Sequence, residues 1–224
     1  MKSYLLTLVI FCFFGTAFGQ KELETNYDTI KAKIENPKSD FYYKKLIKRY
    51  NDFDSTLTTQ EYSLIYYGFS FQKDYIVNQP SEISLNKLLK SNDYEKIVAE
   101  CIKILDKNPV SLLANNEMGY ALYKLNKPES EWGKYQKRFR AIRKAIVYSG
   151  DGLSPETAFK VICVSDEYNI LYSYFKISNI HHQSLVGIYD KFDIDPSKYY
   201  QANVMYFDTS RELVREQQLF DKKK

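Results

Sequence analysis

The chain has 224 residues, with 32 Lys or Arg against 28 Asp or Glu and a net charge of +4. That balance lacks the basic excess of a nucleic-acid binder, and the length suffices for one large domain or two small ones with a real core. Only two histidines occur, adjacent at His181 and His182, so a Ser-His-Asp or Cys-His arrangement would have to use one of them.

The chain opens as a secretory signal. Lys2 is followed by an apolar run from Leu5 to Phe14, too short to span ~30 Å of hydrocarbon, and then by Ala17 and Gly19 in small-x-small spacing. Cleavage is expected after Gly19, giving a periplasmic or secreted product. Cys12 lies inside the apolar run rather than after a lipobox, and no later stretch is apolar enough for a transmembrane helix.

Residues 20–148 read as helical. A first helix over about Thr25 to Ile34 stops at Asn36-Pro37, because proline cannot continue it. A second covers about Asp40 to Asn51. A third starts on the capping-box pattern Thr58-Thr59-Gln60-Glu61 and runs to Gly68. Gln72 to Pro80 reads as a loop and Glu82 to Lys90 as a short helix. Next comes a helix with the stripe Tyr94, Ile97, Cys101, Ile104 and Leu105, ended by Asn108-Pro109, and another carrying Leu113, Met118, Gly119, Leu122 and Leu125. A last helix, Glu129 to Tyr148, shows an amphipathic seam at Trp132, Tyr135, Phe139, Ile142 and Ile146.

Ser149-Gly150-Asp151-Gly152 breaks the helical pattern and marks a boundary before residues 149–224. Ser154-Pro155-Glu156 starts a helical turn, Phe159 to Val164 reads as a buried strand or turn, and Tyr168 to Phe175 is ambiguous. Gln183 to Ile194 and Tyr199 to Phe207 read as strands, and Asp208-Thr209-Ser210 as the cap of a short helix before the solvated tail Asp221 to Lys224. The fold class is therefore α+β: helical hairpins packed on a small antiparallel C-terminal sheet. Cys101 and Cys163 fall on apolar runs and read as buried, with a bridge between them left open.

Two resemblances add to this reading. Asn92-Asp93-Tyr94, Pro109 and Gly119 place residues 92–127 close to a tetratricopeptide repeat, with Ile97, Ile104 and Asn115 where the repeat carries Ala, Ala and Trp. Stretches including Tyr66-Tyr67-Gly68-Phe69, Gly150-Asp151-Gly152 with Ser154-Pro155-Glu156, Val164-Ser165-Asp166-Glu167-Tyr168 and Gln183-Ser184-Leu185-Val186 resemble a family of exported Bacteroides-type proteins. That family is defined by a domain of unknown function. The resemblance spans roughly residues 25–210, implying an extracytoplasmic setting and carrying over no catalytic residues.

No cofactor or metal signature emerges. The repeat resemblance implies a concave surface for an extended partner, a protein or peptide of the cell envelope, around Asn115, Asn116, Tyr120 and Tyr123. Two alternatives stand beside it. Asp166 and Glu167 could serve a glycan hydrolase as acid and base, and Lys134, Lys137, Arg138, Arg140, Arg143 and Lys144 form a basic helix face suited to anionic lipid or glycan.

Overall fold

The computed structural model describes residues 23–77 and 82–221, so the expected signal, the Asn78–Ser81 segment and the Lys222–Lys224 end lie outside the described residues. The helical part comprises α1 (Tyr27–Glu35), α2 (Tyr43–Asn51), α3 (Thr59–Phe69), α4 (Lys73–Val77), α5 (Ile83–Leu89), α6 (Tyr94–Lys107), α7 (Leu112–Lys124) and α8 (Glu129–Val147). Their ends follow the local chemistry. Asn26, Asp93 and Ser111 each cap a helix by accepting a backbone N–H. Thr58 and Glu61 form the reciprocal capping box, and Glu61 also pairs with Arg49 of α2. Thr58→Ala is expected to lower stability by about 1 kcal/mol in urea denaturation, and an unchanged midpoint would contradict the box.

α3 is buried from Glu61 to Phe69, all but its first two residues, which makes it the central rod rather than a surface helix. Its tyrosines act as long-range struts. The Tyr67 hydroxyl donates to Ala145 O and Lys160 O, both at 3.2 Å, while Tyr50 on α2 reaches Pro109 O at 3.0 Å. The rings fill volume and each hydroxyl finds an acceptor at the edge. A segment expected to be a loop contains α4 instead. Its Tyr75, 1% exposed, donates to Ile162 O at 2.7 Å and so ties the turn to the sheet side.

Beyond the Gly150-Asp151-Gly152 junction lie β1 (Phe159–Lys160), α9 (Val164–Tyr168), β2 (Ile180–Val186), β3 (Tyr189–Ile194), β4 (Val204–Asp208) and α10 (Ser210–Asp221). The strand order is β1-β4-β3-β2. The sheet is mixed, which corrects the expected antiparallel arrangement: β2–β3 and β3–β4 are antiparallel, but β1 runs parallel to β4. The reason is connectivity. β1 reaches β4 only through α9 and the β2–β3 hairpin, a long crossover of the kind parallel pairs require. β1 is also shorter than the expected Phe159–Val164 strand, because Ile162 N donates to the Tyr66 hydroxyl at 3.2 Å rather than to a neighbouring strand. The ambiguous Tyr168–Phe175 stretch is a π-helical turn over Asn169–Tyr174.

One apolar cluster runs through both halves, from Ile30 and Tyr66 through Phe139 and Ile142 to Phe159, Phe192 and Phe207. A second, smaller cluster joins Leu85, Ile97, Cys101, Ile104, Ala114 and Met118 of α5, α6 and α7. α8 borders the first cluster and leaves its other side open.

Candidate functional site

The helix pair α7–α8 is held close at Gly119. A β-carbon there would stand 2.7–2.8 Å from the Gln136 side chain. Gln136 Nε2 in turn donates to Asn116 O at 3.0 Å, which sets the spacing of the two helices. Between them opens a groove of about 350 Å³ lined by Asn116, Gly119, Tyr120, Tyr123, Trp132, Gln136 and Arg140. Tyr120 and Tyr123 are 46% and 57% exposed, large apolar surfaces left toward solvent. Tyr123 meets Trp132 edge-on at 5.8 Å and Tyr120 meets Tyr94 edge-on at 6.2 Å, so the rings are braced by neighbours. Lys124 sits over both Tyr94 and Tyr120.

Of the four residues expected at a partner surface, the structure brings Asn116, Tyr120 and Tyr123 into one groove. Asn115 is elsewhere: it is fully buried, and its amide donates to Pro109 O and Ser111 O. Trp132, Gln136 and Arg140 complete the lining. Trp132 was expected in the buried seam, and the signal for its real place is the run Trp132, Gln136, Arg140 at a spacing of four, which stacks side chains on one helix face.

The basic face divides. Lys134 lies over Phe53, Lys137 donates to Ser55 O at 2.7 Å, and Arg138 is 5% exposed, stacked on Tyr50 and Phe53 and bonded to Tyr50 O. These three turn toward the α2–α3 loop. Arg140, Arg143 and Lys144 remain on the open side of α8, with Arg143 over Phe139 and Tyr174 and Lys144 over Tyr148.

Asp166 and Glu167 are adjacent on α9 and buried, at 4% and 0% exposure. Asp166 Oδ2 accepts from the Tyr66 hydroxyl at 2.7 Å. Burial pushes its carboxyl up to about 8, partly offset by that hydrogen bond. Glu167 lies beside Asp190 of β3, and neither of its carboxyl oxygens has a hydrogen-bond partner among the described residues. Burial first and the Asp190 charge second push it up to about 10. With its carboxyl held that high, Glu167 keeps its proton at neutral pH. Asp190 Oδ2 also accepts from Gln183 Nε2 at 3.0 Å, and Tyr168 donates to Gln183 Oε1 at 2.6 Å. The network closes the helix–sheet interface from within and presents no open pair of carboxylates.

His181 and His182 lie on the exposed edge strand β2, His181 Nε2 2.7 Å from Asp195 Oδ1. Among the described residues no group of three His, Cys, Asp or Glu is placed to hold a metal ion. Cys101 and Cys163 are unpaired, and no helix of the described residues is long and apolar enough to cross a membrane.

A family model described as Domain of unknown function (DUF4919) matches residues 28–218. No curated protein and no solved structure matches the chain.

Proposed function

We propose that this chain, which belongs to the family of the domain of unknown function DUF4919, is a non-enzymatic interaction module of the cell envelope that holds a polypeptide segment in the α7–α8 groove. The observation that carries the reading is the lining: two exposed tyrosines and a half-buried tryptophan beside Arg140 and two carboxamides, in one groove of about 350 Å³. Tyr, Trp and Arg are the residue types that dominate binding energy at protein interfaces. Residues 92–127, which contribute α7 to this groove, also resemble a tetratricopeptide repeat, a scaffold that presents concave surfaces to extended chains. The signal-like segment ending at Gly19 supports export, which N-terminal sequencing of the mature protein checks.

The alternatives have less support. Asp166 and Glu167 are buried, which leaves a glycan hydrolase without an accessible acid and base. Arg138 is buried and Lys137 is engaged, so the basic residues do not form one anionic-surface patch.

Cross-linking in intact cells followed by purification identifies the partner. Tyr120→Ala or Trp132→Ala is expected to weaken its binding at least about tenfold. Ile102→Ala, on the exposed side of α6, is expected to leave binding unchanged. Equal binding by all three variants would sink the reading.

A further inference from the structure

α8 carries Trp132, Gln136, Arg140, Arg143 and Val147 at successive spacings of four, four, three and four. That is the helical period, so all five share one face. The first three line the groove already described. Arg143 lines a second hollow, of about 460 Å³, with Ser173, Tyr174, Lys176 and Tyr199. Val147 lines a third, of about 440 Å³, where Tyr148, Leu153, Tyr174, Tyr199 and Gln201 come together. The second and third hollows share Tyr174, Phe175 and Tyr199. The three hollows therefore follow one another along the open face of a single helix.

We propose that one extended, acidic polypeptide segment lies along this whole face, from Trp132 to the Tyr148–Tyr199 cleft. Its carboxylates meet Arg140 and Arg143, and its apolar side chains fill the two ends. This inference rests on the reading of the α7–α8 groove and extends it to a ligand class and a register. From Trp132 to Val147 the helix rises ~23 Å, which about seven residues of extended chain cover.

The choice of an acidic partner follows from charge. Arg140, Arg143 and Lys176 line the hollows, with Lys144 over Tyr148 and Lys198 over Tyr199 beside them, and none of the five is in an ion pair among the described residues. Arg143 is half-buried over Phe139 and Tyr174, at 4.8 and 5.2 Å, and Lys198 lies over Tyr199 at 5.4 Å. A cation partly withdrawn from water and held by ring faces alone gains most from an incoming carboxylate. Against these cations, Asp151 is the one carboxylate among the described residues lining the three hollows.

The choice of polypeptide follows from the carboxamides. Gln136 Nε2 donates to Asn116 O and Gln201 Nε2 to Ser197 O. Each amide keeps its second N–H and its oxygen outside those bonds, a donor and an acceptor that match the C=O and N–H of an extended backbone. The ends of the face are aromatic and apolar, with Tyr148, Leu153 and Tyr199 all more than half exposed.

The test selects peptides from a randomised library on the full mature chain and measures their affinity by fluorescence anisotropy. The selected sequences are expected to carry acidic residues between two apolar anchors spaced by about seven positions. Arg143→Gln and Tyr199→Ala are each expected to weaken them at least about tenfold, with Arg143→Gln also flattening the salt dependence. Both side chains reach solvent, and unchanged melting temperatures establish that the variants fold. If Tyr120→Ala weakens the selected peptides while Arg143→Gln and Tyr199→Ala do not, the extension is overturned and the groove reading stands. If Tyr120→Ala leaves them unaffected, the groove reading fails, and the extension with it. Failure to select any peptide, with Arg143-dependent binding of polygalacturonate, would assign the face to acidic glycans and overturn the polypeptide.

Discussion

Glu167→Gln is expected to stabilise the protein by on the order of 2 kcal/mol at about pH 8, and to remove about half of the loss of stability between about pH 5 and pH 8. The side chain is fully buried and its carboxyl stands at about 10, against an ordinary value of 4.5. Between those two values the folded chain keeps a proton that the unfolded chain releases. Stability from this group is thus fully present below about 4.5 and is lost as pH rises through about 10. Asp166 adds a slope of the same sign, from its ordinary 3.8 to about 8. Glutamine keeps the shape with no proton to lose, so the variant escapes about half of the slope. Alanine would instead leave a cavity, and should destabilise at low pH, where the wild-type carboxyl carries no penalty. Urea denaturation at the two pH values checks this. A wild-type stability that does not fall with pH would refute the retained protons.

Gly150→Ala is expected to cost about 3–5 kcal/mol and to lower the melting temperature by roughly 10 °C. A β-carbon at this position would stand 2.2 Å from Thr157 O and 2.7 Å from Ala158 O, both main-chain atoms that cannot rotate away. The same Thr157 carbonyl accepts from Asp151 N at 2.9 Å and Gly152 N at 2.8 Å, so relieving the clash pulls two hydrogen bonds apart. Gly152, with φ +73°, then turns the chain under the Phe159 ring. Gly133→Ala is the control. Its β-carbon would meet only Glu129 Cγ at 3.4 Å, within α8, where alanine is the better helix former. Calorimetry separates the two, and a Gly150→Ala protein melting with the wild type would mean the junction is looser than this packing implies.

The helices were legible because their signals are local. Thr58 and Glu61 cap α3 as their spacing requires, and the Tyr94-to-Leu105 stripe forms α6 with Cys101 and Ile104 buried. The sheet's parallel pairing was not legible, since it depends on a crossover whose middle, Asn169–Tyr174, has no clear period and folds as a π-turn. The helix at Lys73–Val77 was missed for a related reason: Tyr75 is held by a carbonyl 87 positions away.

At the groove, the repeat resemblance points to Asn115, Asn116, Tyr120 and Tyr123 together but does not say which of them is buried. Asn115 turns inward one residue away, as a 100° step dictates, and Arg138 is drawn under Tyr50 and Phe53 while Arg140 stays outside. Trp132 belongs to the apolar seam by period, yet it sits at the helix end where α7 covers only one side. The Glu167–Asp190 pair joins an α9 side chain to a strand 23 positions on, and nothing in the spacing of the two acids announces it.

Trp132 is the chain's single tryptophan and it lines the groove, so its emission reports directly on that surface. Titration of the full chain with a bound partner or selected peptide is predicted to shift Trp132 emission to the blue and shield it from acrylamide. Both changes should follow the binding isotherm and should be lost in Tyr120→Ala. Saturable binding that leaves the emission and quenching of Trp132 unchanged would contradict the proposal and place the partner elsewhere on the molecule.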